Sequence, residues 1–100
     1  MAQQKRIVGR DKIMTVQNNF ITVTLRSHVT PTISLDGFKP GKKIQVKLVT
    51  NTTVKELIQK LFFQKEDHIG FIAVNGVISA ANTVLKEGDA VDLYSLISGG

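Results

Sequence analysis

The sequence predicts an α+β domain, a mixed four- to five-stranded sheet packed on one main helix. Three observations predict it. Two stretches of strict apolar/polar alternation come first, a single amphipathic stripe behind a capping signal follows, and strand and turn signals close the chain.

In the first alternation Ile21, Val23 and Leu25 are separated by Thr22, Thr24 and Arg26. A period of two puts the apolar set on one face of a half-buried strand. Ile44, Val46 and Leu48, separated by Gln45 and Lys47, repeat it. Between the two, Ser27–Lys43 holds both prolines (Pro31, Pro40) together with Gly37 and Gly41. These breakers mark a long connection, with Thr32–Leu35 a candidate short extra strand.

The helix announces itself at Thr53-Val54-Lys55-Glu56, a capping box in which the threonine hydroxyl accepts the N3 amide and the glutamate reaches back. Val54, Leu57, Ile58, Leu61 and Phe62 then fall at i, i+3, i+4, i+7 and i+8, a core-facing stripe, while Lys55, Gln59 and Lys60 point away. The expected end lies near Gln64–Asp67.

Phe71–Ile78 reads as a strand, a type I′ turn at Asn75-Gly76 and a short return strand. Leu85–Asp89 is a tight turn in which Gly88 can take a positive φ, and Asp89 is read as a cap for its amides rather than a proton-sharing partner of Asp92. Ala90–Tyr94 form the last strand, with Val91 and Leu93 on the core face and Asp92 and Tyr94 on the other. Strand, strand, helix, strand, short strand, strand, the last returning beside the first, is the β-grasp arrangement. The chain thus divides into an N-terminal extension over 1–19, flexible or weakly strand-like, a domain over 20–94, and an extended tail over 95–100.

Composition bounds the chemistry. One hundred residues, 42% of them hydrophobic, suffice for one core and leave no room for a second. The absence of cysteine excludes disulfides, a thiolate metal cage and a thiol nucleophile. His28 and His68 are the only histidines, too few for a metal centre or an obvious base, and are read as ordinary, partly exposed residues. No phosphate-binding glycine loop is present. The net charge is +5, with Lys39, Lys42, Lys43 and Lys47 the densest basic group. A solvated face explains that group better than a nucleic-acid footprint does, because basic residues are spread along the chain. No apolar run has the length of a signal core or a membrane span, so the expectation is a cytoplasmic protein with no membrane partner.

The end of the chain, Ser95-Leu96-Ile97-Ser98-Gly99-Gly100, is its most informative stretch. Together with "FIAVNGVISAANTVLKEGDAVDLYSLISGG" and the helix "TVKELIQKL", it resembles the ubiquitin-like sulfur-carrier proteins of the molybdopterin and thiazole pathways. The resemblance covers roughly Phe20–Gly100. Ser95-Leu96 stands where molybdopterin carriers usually have Pro-Pro, and residues 1–19 and the 27–43 connection are untypical. The resemblance implies a carrier acting as a substrate and not an enzyme, with no catalytic or metal residues and no bound cofactor. An E1-like adenylating enzyme would use ATP to activate Gly100. A sulfur donor, such as a cysteine desulfurase or rhodanese-like protein, would convert the adenylate to a thiocarboxylate for an acceptor synthase subunit.

Physical reasons support such a tail. Glycines at the last two positions can thread a narrow channel and adopt backbone angles closed to other residues. Ser95, Leu96, Ile97 and Ser98 would pair with a partner in extended form, and six extended residues reach about 20 Å. Since the chain has no cysteine, a carrier role would put the transferable sulfur on Gly100. By resemblance Tyr94, next to Asp92, would anchor the partner. Two alternatives remain open: a modifier joined through Gly100 to lysines of other proteins, and, more distantly, a small basic RNA-binding domain.

Overall fold

A computed structural model of the chain describes residues 19–96. Most of the expected N-terminal extension, and tail residues 97–100, lie outside the described residues. The elements are β1 (Phe20–Ser27), β2 (Lys43–Val49), α1 (Val54–Leu61), a 3₁₀ turn (Glu66–His68), β3 (Ile69–Val74), β4 (Val77–Ile78) and β5 (Ala90–Ser95). They form one five-stranded sheet in the order β2-β1-β5-β3-β4. β1 runs antiparallel to β2 and parallel to β5, while β3 is antiparallel to both β5 and β4. This is the mixed β-grasp sheet that the alternations imply.

The two expected apolar sets meet in the core. Ile21, Val23 and Leu25 of β1, Val46 and Leu48 of β2, and Val91 and Leu93 of β5 pack with Val54, Leu57, Ile58, Leu61 and Phe62. Leu85 closes the core from the loop before β5. Both halves of the capping box form: the Glu56 amide donates to Thr53 Oγ1 (3.1 Å), and the Thr53 amide donates to Glu56 Oε1 (2.9 Å).

Three expectations need correcting. The helix ends at Leu61, short of Gln64–Asp67, because Phe62 is already its cap and Gln64 takes a positive φ of 68°. Phe62 is nonetheless fully buried, so the apolar period outruns the helix that begins it. Thr32–Leu35 form no strand. The Thr32 amide donates to Leu61 O (2.8 Å) and its hydroxyl to Phe63 O (2.5 Å), so it satisfies the end of α1 rather than a ladder. Finally, β3 begins at Ile69, two residues early, and a register shift between Ile69 and Phe71 makes room for Gly70 as a bulge.

The turns follow their residues. Asn75 and Gly76 both have positive φ (54° and 82°), as a type I′ hairpin requires. Asp89 does cap its turn, accepting from the Lys86 amide (2.8 Å) and from Asn75 Nδ2 (2.9 Å). The Ala90 amide in turn donates to Asn75 Oδ1 (2.9 Å), so the two turns brace each other.

Candidate functional site

Alternation along β5 puts Val91 and Leu93 in the core and turns Asp92 and Tyr94 to the face of the sheet away from the helix, as expected. Register then supplies their neighbours. Tyr94 lies opposite Phe71 of β3, and Asp92 stands between Arg26 of β1 and Ala73 of β3.

Tyr94 is the middle ring of a stack of three. Phe71 lies 4.6 Å away between centroids and His28 lies 5.6 Å away, both within about 22° of parallel. Phe71 is 48% exposed, so the row presents an apolar surface to solvent. Arg26 Nε donates to Asp92 Oδ1 at 2.9 Å. The hydrogen bond to Asp92, reinforced by its charge, raises the Arg26 guanidinium above its ordinary value despite a small opposing cost of burial, so the pair holds its cation. Lys43 and Lys47, opposite Arg26 and Thr22, extend this face as a basic flank. At the far end of that flank Lys47 Nζ sits 5.9 Å over the ring of Phe20.

The tail begins where β5, the central strand of the sheet, ends. Ser95, expected as the first tail residue, is the last residue of β5 and pairs with Ile69. The Leu96 amide donates to His68 O (2.8 Å). Ile97, Ser98, Gly99 and Gly100 lie outside the described residues. A cleft of about 610 Å³ opens beside the exit, lined by His28, Lys65, Asp67, His68, Ser95 and Leu96 among others. Among the described residues no group of three or more His, Cys, Asp or Glu could hold a metal ion. No helix among them is long and apolar enough to cross a membrane.

Sequence reasoning placed Tyr94 and Asp92 by strand parity but missed Phe71, His28 and Arg26 beside them. Arg26 was within reach, since it is the solvent-facing end of the first alternation and β1 was expected next to β5. His28 follows the strand in an irregular loop, where no periodicity points to it.

Comparison with known proteins adds to this geometry. The sequence model of the ThiS family matches residues 39–100, from the loop before β2 through the paired glycines. No curated protein matches the sequence at a significant level. Among solved structures, the HVO 2177 protein of Haloferax volcanii is similar with a TM-score of 0.58 and 19% identity, over 93% of this chain and 99% of that one. A ubiquitin from Caldiarchaeum subterraneum gives 0.54 and 15%, over 81% and 99%. A Pyrococcus furiosus protein assigned as molybdopterin converting factor subunit 1 gives 0.52 and 16%, over 77% and 99%. At these identities the structural likeness is one of fold.

Proposed function

Because the chain belongs to the ThiS family of ubiquitin-like sulfur carriers, we propose that Gly100 is the atom-bearing end of a sulfur carrier that partner enzymes use as a substrate. The observation that carries this reading is the family match over residues 39–100, which takes in Gly100. A free carboxylate is a poor electrophile. In the proposed reaction an oxygen of the Gly100 carboxylate attacks the α-phosphorus of ATP in an E1-like enzyme, and pyrophosphate leaves. The acyl-adenylate is then attacked at carbon by a persulfide sulfur from a donor protein, and AMP leaves with the former carboxylate oxygen. A second thiol reduces the resulting acyl disulfide and frees the thiocarboxylate, which an acceptor synthase subunit consumes.

The open face suits the recognition half of this task. An aromatic row around Tyr94 supplies apolar area, and the Arg26–Asp92 pair and nearby lysines frame it with charge. Aromatic residues of this kind are common energetic anchors of interfaces.

The test is the intact mass of the full chain after incubation with an adenylating enzyme, ATP and a persulfide donor. The expected product has one oxygen replaced by sulfur, and digestion places that change on Gly100. Lysine adducts carrying a Gly-Gly remnant, with no thiocarboxylate formed, would instead identify a protein modifier.

A further inference from the structure

The tail is rooted against a residue that has no side chain. Gly70 sits in the bulge of β3, where the end of β5 passes directly over it. A Cβ on Gly70 would stand 2.8 Å from Leu96 Cα, 2.9 Å from Ser95 O and 3.1 Å from Leu96 N. All three are backbone atoms, so no side chain can swing aside to admit a methyl group. The need is for room, since Gly70 is not among the glycines with positive φ. On either side of this contact the chain is bonded: Ser95 pairs with Ile69, and the Leu96 amide donates to His68 O. The root is therefore gripped at two successive residues, and Gly70 is what lets them come close enough.

We propose that Gly70 is a positioning residue for the chemistry at Gly100, fixing where and in what direction the tail leaves the domain. The inference rests on the carrier reading above and sharpens it. From Leu96 to Gly100 the chain adds four residues, which span at most about 14 Å. The partner must therefore hold the α-phosphorus of ATP within about 14 Å of Leu96 while it engages the open face of the sheet. A tail released at Ser95 or earlier would reach further but arrive at the phosphorus without a set direction.

Steady-state adenylation, read as pyrophosphate release with the carrier as the varied substrate, tests this with Gly70→Ala. The carrier is the substrate, so a partly unfolded variant only lowers its own effective concentration and raises KM. A displaced root misplaces the carboxylate once the carrier is docked, which lowers kcat. Geometry errors of about 1 Å cost up to roughly 100-fold in rate, so kcat is expected to fall about 10- to 100-fold with KM within about twofold. A kcat equal to that of the unaltered protein overturns the proposal, as does a rise confined to KM. Should Gly70→Ala not fold, amide hydrogen exchange on the unaltered protein still decides. Leu96 is expected to exchange as slowly as the amides of β5, and exchange at the rate of a free peptide overturns the proposal. Failure of the unaltered protein to be adenylated at all would overturn the carrier reading itself, a distinguishable result.

Discussion

Tyr94 sits between two rings, and that decides what its removal does. Stacking beyond simple burial contributes about 0.5–1.5 kcal/mol, so Tyr94→Ala is expected to lower stability modestly. If the row is the anchor, the same change weakens binding to the adenylating enzyme by about 1–3 kcal/mol. Titration calorimetry measures that loss, and an unchanged dissociation constant returns Tyr94 to a purely structural role. Gly100→Ala and Gly99→Ala separate the two kinds of effect in the opposite way. The buried residues among those described run from Ile21 to Leu93, so both variants keep the unfolding temperature of the parent while adenylation slows. Positions such as Tyr94 were legible because parity along one strand assigns a face. Gly70 was not, because its requirement arises from backbone 25 residues later in the chain, pressed against it by the β3–β5 register.

Among the elements, α1 shows both what a local pattern can specify and where it stops. Its start is written in four consecutive residues, and both reciprocal bonds of the box form. Thr53→Ala removes the acceptor for the Glu56 amide and is expected to cost about 1 kcal/mol, read by chemical denaturation with an unchanged m-value. An effect below a few tenths would mean that the Thr53–Val84 bridge and the bonds to Ala81 and Thr83 hold this end without the cap. The helix end was illegible for the converse reason. Phe62 continues the apolar stripe and is buried, yet the backbone there has already turned away. The 28–42 connection escaped the same way, since its organising bonds run from Thr32 to Leu61 and Phe63 and from Gly41 to Ser27 O. Gly76→Ala tests a turn that was legible: a methyl group at φ 82° is expected to cost about 1–2 kcal/mol, measured by the same denaturation.

For the whole molecule, the +5 charge and the paired glycines predict opposite things, and a truncation compares them. If the protein worked by charge, as an RNA-binding domain would, its affinity would fall steeply with salt and ignore the last two residues. Two basic residues of the open face argue against that role, because Arg26 is already engaged by Asp92 and Lys47 lies over Phe20. Deleting Gly99 and Gly100 removes no buried residue among those described and none of the bonds that root the tail. The truncated protein is therefore expected to unfold at the same temperature and to bind the adenylating enzyme through the intact sheet face. It should yield no pyrophosphate, because the carboxylate then ends two residues, about 7 Å, short of where the full tail places it. Pyrophosphate release is the deciding measurement. Adenylation of the truncated chain at the parental rate would mean that neither the reach of the tail nor its glycines matter to the enzyme.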